Sequence, residues 1–265
     1  MRKRFRIVFA LLLLAVMGGI AWLALRPNEP VYKGKRLSVW LEGYHPIGLS
    51  FGSREAADEA VRQLGTKAIP ILLKRLQTKD APLTDEFIAL AQKQHFISIH
   101  HESAYNRRDE GAYGFSALGS EGRDAVPALI ELYRKAGPEC RPGIAFAFGE
   151  IGPDAKKAVP LLILGLGDTN IIEGEVGGAS AAYALGRIHS EPQMAVLALI
   201  NCLSNQNGFM LKEARTALGR FGADAKAAVP ALINSLNDSN DWVRALTAKA
   251  LKQIDPEAAA KAGVK

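Results

Sequence analysis

The stretch GPDAKKAVPLLILGLGD at residues 152–168 returns as GADAKAAVPALINSLND at residues 222–238, and 11 of the 17 aligned positions are identical without a gap. The offset is 70 residues, which corresponds to two units of about 35 residues. In each copy, Ala-Val-Pro is followed by apolar residues at helical spacing, which predicts a helix with one apolar face. A period in the thirties is typical of stacked helical hairpins, which bury their apolar faces only against neighbouring units.

Two markers recur in the other units of this repeat. Pairs of an apolar residue and glycine predict the end of one helix, because glycine adopts the left-handed C-cap conformation without a Cβ clash. Prolines mark the following helix. Because they lie about six residues past the aspartate expected to cap it (Asp154 or Asp224), they predict a kink inside that helix. The residues expected to define the repeat are Gly65, Pro70, Gly119, Pro127, Gly149, Pro160, Gly186, Gly219 and Pro230.

The pattern Gly-x-Asp-Ala-x-x-Ala-Val-Pro-x-Leu-Ile, followed by a helix that ends in Ala-Leu-Gly, resembles HEAT and HEAT-like repeats over residues 55–255. That resemblance implies an all-α fold, an α-α superhelix (a helical-repeat solenoid) that binds other proteins along its concave face. The segment YKGKRLSVWL at residues 32–41 also resembles a segment that follows the membrane anchor in some bacterial HEAT-repeat proteins. Some HEAT-like proteins are bilin lyases, but a repeat alone does not carry that chemistry.

One interval interrupts the repeat. Pro70 and Pro127 stand 57 residues apart, well over one unit, which indicates an insertion near residues 80–112. We interpret it as a helix from Leu83 to about Ile97, a turn near Ser103 and a further helix into Leu118. The insertion is either a projecting binding surface or a locally thickened repeat.

The N-terminus carries a membrane signal. Residues 7–25, IVFALLLLAVMGGIAWLAL, form an uncharged run of 19, enough for a helix to cross a hydrocarbon core of about 30 Å. Four of the first six residues are basic, which predicts a cytoplasmic tail and a body on the periplasmic side of a bacterial inner membrane. The alternative is a signal peptide cleaved after the small residues Gly19-Ile20-Ala21, which would leave a secreted protein.

The net charge of +6 does not indicate nucleic-acid binding. Five of the 33 basic residues and no acidic residue precede position 27, so the remaining chain carries 28 basic against 27 acidic residues. A phosphate backbone requires a clustered basic surplus, which a nearly neutral body does not supply.

The strongest candidate for chemistry is a histidine-rich segment near residue 100. Imidazoles and a carboxylate can bind zinc, but His95 and His100 are five residues apart, whereas two helical ligands share a face at three or four. The segment also lacks the His-Glu-x-x-His spacing of zinc peptidases. We therefore predict a protein contact formed by His95, His100, His101, Tyr105, Arg107 and Arg108. The alternative is an enzyme or enzyme accessory, metal-dependent or bilin-lyase-like, that uses residues 95–108.

These patterns predict a membrane-tethered scaffold that binds proteins and catalyses no reaction. Its expected parts are a basic tail (1–6), a transmembrane anchor (7–25), a linker and juxtamembrane segment (26–54), the repeat domain (55–255) and a frayed tail (256–265). No catalytic, cofactor-binding or metal-binding residue is predicted. The expected partners are a protein and, through residues 7–25, the membrane; no cofactor, nucleic acid or small-molecule substrate is expected.

Overall fold

The computed structural model describes residues 29–45, 53–79, 103–172, 175–205 and 207–264. For residues 171, 172, 175 and 176 it describes the backbone only. These ranges are mostly helical, as the repeat predicted. The helices are α1 (Leu37–Leu41), α2 (Arg54–Leu64), α3 (Ile69–Leu76), α4 (Ala104–Leu118), α5 (Val126–Lys135), α6 (Arg141–Ile151), α7 (Val159–Gly165), α8 (Gly177–Ile188), α9 (Pro192–Asn201), α10 (Gly208–Phe221), α11 (Val229–Ser235), α12 (Asp241–Ile254) and α13 (Pro256–Lys261).

Two short antiparallel hairpins, which an all-α prediction does not contain, accompany the helices. In the first, β1 (Val31–Tyr32) pairs with β2 (Lys35–Arg36), and in the second, β3 (Ile171–Ile172) pairs with β4 (Glu175–Val176). Each has only two residues per strand and leads directly into a helix, α1 and α8 respectively. The hairpins therefore modify the connections and leave the helical architecture unchanged.

The helices form two layers along the stack. The first layer contains α2, α4, α6, α8, α10 and α12, and each packs against the next. The second layer lies between them in sequence and contains α3, α5, α7, α9 and α11. Alanine, leucine and phenylalanine side chains fill one continuous core between the layers. This arrangement gives each hairpin two neighbours against which to bury its apolar faces.

The second-layer helices begin differently from the prediction. A 3-10 stretch runs from Gly152 to Ala158, and α7 then starts at Val159 with Pro160 in its first turn. The N-cap, Ala158, makes no side-chain capping bond, so the expected cap by Asp154 and the kink at Pro160 are both wrong. The first N–H groups of an α-helix have no intrahelical acceptor, so proline costs no hydrogen bond there. The same arrangement recurs at Pro70, Pro127 and Pro230.

The glycines of the repeat have two distinct roles. Gly65 and Gly119 follow α2 and α4 at φ 55° and 53°, which confirms the predicted helix ends. Gly149, Gly186 and Gly219 instead lie inside α6, α8 and α10, each two residues before the last residue of its helix. The helix-ending residues at those places are Gly152, His189 and Gly222, all with positive φ.

Close packing between neighbouring units explains the three internal glycines. A Cβ on Gly149 would stand 2.9 Å from Tyr183 Cε1, and one on Gly186 would stand 2.7 Å from Ala217 Cα. A Cβ on Gly219 would overlap the Gln253 side chain. Each of these glycines therefore allows the next first-layer helix to approach closely.

Both ends of the described stack are covered. At the N-terminal end, Leu37 and Leu41 are fully buried and the Trp40 indole donates to the Tyr32 carbonyl at 3.0 Å, so residues 29–45 dock on α2 rather than forming a free linker. At the C-terminal end, Asp255 accepts a hydrogen bond from the Ala258 amide and begins α13. The structure thus places a short packed helix where a frayed tail was expected.

Two predictions fall partly or wholly outside the described ranges. Ser103 caps α4, and α4 belongs to the first layer, so residues 104–112 are part of the regular repeat and not of an insertion. The remainder of the predicted insertion, residues 80–102, and the predicted anchor at residues 7–25 lie outside the described residues. Within the described ranges, no helix has the length and apolar character that crossing a membrane requires.

Candidate functional site

A row of aromatic rings follows the first layer. Tyr113, Phe146 and Tyr183 each lie five residues before the last residue of their helices, α4, α6 and α8. The rings touch in sequence: Tyr44 and Tyr113 have centroids 5.5 Å apart, Tyr113 and Phe146 6.1 Å, and Phe146 and Tyr183 5.3 Å. The last pair is nearly parallel, with 7° between the planes. Tyr44 is buried, whereas the other three are partly exposed. We call these four residues the aromatic ladder.

A carboxylate is held beside the ladder. The Ser116 hydroxyl donates to Glu150 Oε2 at 2.7 Å, and the Tyr183 hydroxyl donates to Oε1. Arg187 Nη2 lies 3.4 Å from the same Oε1. Burial, followed by the bond to Glu150, raises the pKa of Tyr183 to about 12, so the phenol remains a donor at neutral pH. Glu150 is therefore a fixed, charge-compensated acceptor.

Two arginines extend this row beyond the last ring. Arg187 and Arg220 occupy equivalent positions, one residue before the last residue of α8 and α10. Arg187 Nε donates to the Gly149 carbonyl at 3.3 Å. The Arg220 guanidinium lies over the Tyr183 ring at 5.3 Å from its centroid, and its stem passes the space left by Gly186. The glycines inside the first-layer helices thus make room for side chains from the following helix.

An open cleft of about 470 Å³ lies where α6, α8 and α10 end. Ser120, Glu150, Arg187, His189 and Arg220 contribute its polar lining. The backbone of His189 is left-handed, with φ 50°, and its ring meets Phe221 edge-on at 4.9 Å. We call this space the arginine cleft. It offers cationic donors on a rigid floor.

A second cleft, of about 510 Å³, lies beside the loop that follows α7. Arg141 Nη1 and Asp168 Oδ2 form an ion pair there at 3.1 Å. The Tyr133 hydroxyl, packed against Gly165, is buried and has no hydrogen-bond partner among the described residues. Burial raises the pKa of Tyr133 to about 12. Since this hydroxyl is closed off from solvent, its main expected effect is on stability.

The structure describes only part of the contact predicted from sequence. His95, His100 and His101 lie outside the described residues, while Tyr105 and Arg107 lie partly exposed on α4. Arg108 is only 4 % exposed and donates to the Thr78 carbonyl at 3.1 Å, so it joins α4 to the end of α3 and is not available as a surface contact. The described ranges contain no group of three or more side chains able to hold a metal ion.

Sequence reasoning missed the aromatic ladder, although a signal for it exists. Tyr113, Phe146 and Tyr183 are spaced by 33 and 37 residues. The repeat markers Pro127 and Pro160 are also 33 residues apart, and Gly149 and Gly186 are also 37 apart. Aligning each unit on its helix end would have placed the three rings at one position of the repeat. Their mutual contact depends on the distance between neighbouring helices, which the sequence alone does not supply.

Comparison with known protein families agrees with this architecture in the C-terminal units. A family model described as HEAT repeats matches residues 176–252, the segment from β4 through most of α12. One crystal structure of an engineered protein is 21% identical, with a TM-score of 0.48, over 83% of this chain and 96% of that chain. A second crystal structure of an engineered protein is 20% identical, with a TM-score of 0.42, over 86% of this chain and 61% of that one. No curated protein matches the chain. The protein is a helical-repeat protein whose C-terminal units are similar to HEAT repeats.

Proposed function

We propose that this chain is a membrane-tethered scaffold that binds another protein along its first helical layer. The observation that carries the proposal is the aromatic ladder, in which rings from successive units touch along one face and three of them stay partly exposed. The tether rests on the uncharged run at residues 7–25 and the basic residues before it. HEAT-like repeats in the C-terminal half favour a role in protein interaction.

The ladder has the physical properties of a protein-binding surface. Aromatic and arginine side chains are enriched among the residues that contribute most binding free energy. Here the rings support one another and the Arg220 guanidinium lies over Tyr183, so little side-chain freedom remains to be lost on binding. A partner that covers these rings would bury apolar area without first ordering the surface.

The polar groups beside the ladder favour binding over proton transfer. Glu150 is held by a hydroxyl, a phenol and an arginine. A general base needs an available lone pair directed at substrate and a pKa near the working pH. A carboxylate held by three donors is instead suited to fixing the positions of the side chains around it.

A crosslinked pull-down of the full-length tagged protein from detergent-solubilised membranes tests the binding. The test variant carries Tyr113→Ala and Phe146→Ala, and the control carries Leu164→Ala and Leu197→Ala, which remove exposed leucines from the second layer (78% and 60% exposed). We expect a protein enriched near stoichiometry with the wild type and the control, and lost with the ladder variant. Circular dichroism must show that all three are folded. No enriched protein, or equal recovery with the ladder variant, would refute the proposal.

Fractionation tests the tether separately. We expect the full-length chain in the membrane fraction and a version lacking residues 1–28 outside it, because only the former keeps the apolar run. A protease added to intact spheroplasts should degrade the body if it lies on the periplasmic side. Protection of the body, or recovery of both versions in the same fraction, would contradict this part of the proposal.

A further inference from the structure

Arg187 and Arg220 are equivalent in the repeat but have different electrostatic surroundings. Arg187 pairs with Glu150, which lies one residue before the end of the preceding first-layer helix. For Arg220, the preceding first-layer helix is α8, and the residue one before the end of α8 is Arg187. Among the residues that the structure describes, Arg220 forms no ion pair and no hydrogen bond through its guanidinium. In α6, α8 and α10, the position one residue before the helix end therefore holds one carboxylate followed by two arginines.

The geometry of Arg220 leaves its donors available. The guanidinium lies over the Tyr183 ring and the side chain is exposed, so the N–H groups at the edge of the guanidinium plane can reach a ligand in the arginine cleft. A guanidinium offers paired N–H groups whose spacing matches the two oxygens of a carboxylate. A side chain fixed on a ring forms such a pair with less loss of freedom than a mobile lysine does.

The next unit reinforces the positive charge. Lys249 occupies in α12 the position that Tyr183 occupies in α8, and it is exposed. Along the row, the aromatic ladder therefore gives way to a basic end formed by Arg187, Arg220 and Lys249, in which Glu150 pairs with Arg187. A ligand that matches the whole row has apolar groups at one end and acidic groups at the other.

We propose that the arginine cleft receives a carboxylate from a segment of the partner that carries both acidic and apolar side chains, with Arg220 as its principal ligand. An aspartate or glutamate side chain of this segment forms an ion pair with Arg220, as Glu150 does with Arg187. Apolar side chains of the same segment then lie against Phe146 and Tyr113. This inference rests on the proposed scaffold function and adds the chemical class of the bound segment.

Fluorescence anisotropy on the full-length chain in detergent micelles tests the inference with defined probes. The probe is a fluorescein-labelled peptide of four Phe-Ala pairs followed by four glutamates. Its comparison peptides carry four glutamines, or four phosphoserines, in place of the glutamates, and a labelled oligo-dT strand tests nucleic acid. The test variant is Arg220→Gln. The control is Lys157→Gln, which removes an equally exposed charge from the 3-10 stretch before α7.

We expect the glutamate peptide to bind at least tenfold more tightly than the glutamine peptide at low salt. Arg220→Gln should remove most of this difference, while Lys157→Gln should leave it in place. Equal binding of the two peptides, or an unchanged preference in Arg220→Gln, would overturn the inference. Neither result would bear on the scaffold proposal, which the pull-down tests separately. Stronger Arg220-dependent binding of the phosphoserine peptide or of oligo-dT would also overturn it, because the cleft would then favour phosphate. Failure of every probe to bind would refute it as well.

Discussion

Replacing Gly186 with alanine tests whether the stack depends on close helix approach. In a helix interior this change ordinarily stabilises by about 0.5–1 kcal/mol, because glycine loses more backbone entropy on folding. Here the new Cβ would stand 2.7 Å from Ala217 Cα and 2.8 Å from Ala217 Cβ. Since one of these atoms is backbone, α10 must shift, and overpacking of this kind costs about 1–3 kcal/mol. We expect a net loss of about 1–2 kcal/mol.

Urea unfolding followed by circular dichroism at 222 nm measures this loss. Gly208→Ala is the matched control, because it lies at the start of α10 and a Cβ there meets no atom within 4 Å. We expect the control to match or exceed the wild type in its free energy of unfolding, while Gly186→Ala lowers that free energy by about 1–2 kcal/mol. If Gly186→Ala were as stable as Gly208→Ala, the assignment of the internal glycines to close packing would be wrong.

Three further predictions concern buried polar groups. Tyr133→Phe removes a buried hydroxyl that has no partner among the described residues, so the free energy of unfolding should rise by about 1 kcal/mol in urea titrations. Thr247→Val should lower it by about 1–3 kcal/mol, because buried Arg215 loses the hydroxyl that accepts from its Nε at 3.0 Å. Thr216→Val, a change on a partly exposed helix surface, should stay within about 0.5 kcal/mol, and an equal effect of the two valines would contradict this account. Burial raises the pKa of Tyr133 and of Tyr183 to about 12, above about 10 in the unfolded chain. The stability linked to Tyr133 should therefore be complete below pH 10 and fall by up to about 1.4 kcal/mol per pH unit between pH 10 and 12, whereas the partly exposed Tyr183 should add a smaller decline of the same sign because solvent screens it. A decline equally steep in Tyr133→Phe would exclude Tyr133 from this effect.

The sequence predicted the helical repeat well because its signal is local and repeated. The two aligned copies, at residues 152–168 and 222–238, contain a full helix each, α7 and α11. The prolines were located correctly but assigned the wrong role. A proline that breaks a helix and one that starts it look alike unless the preceding 3-10 stretch is recognised.

The glycines show where sequence reasoning reaches its limit. Leu-Gly is compatible both with a helix end, as at Gly119, and with a close contact inside a helix, as at Gly186. The two cases differ only in the neighbouring unit, which the local pattern does not contain.

The candidate site was predicted least well, for a related reason. Unusual local composition indicated the histidine-rich segment, but its Arg108 is a buried packing residue. The aromatic ladder is made of ordinary residues, one per unit, and its character arises only when successive helices place them side by side. A surface assembled from several units has no local sequence signature.

The lengths of the connections between the helices indicate where additional residues can be inserted into this chain. Between α7 and α8 lie 11 residues, including the β3–β4 hairpin, against 5 between α5 and α6 and 5 between α11 and α12. The interval from α3 to α4 is longer still. The longest connections fall where a second-layer helix leads into a first-layer helix, whereas the opposite junctions hold only three to seven residues. One edge of the stack thus accepts the longer connections, and an epitope or fluorescent reporter can be inserted there in the laboratory, while the connections on the edge that carries the arginine cleft stay at seven residues or fewer.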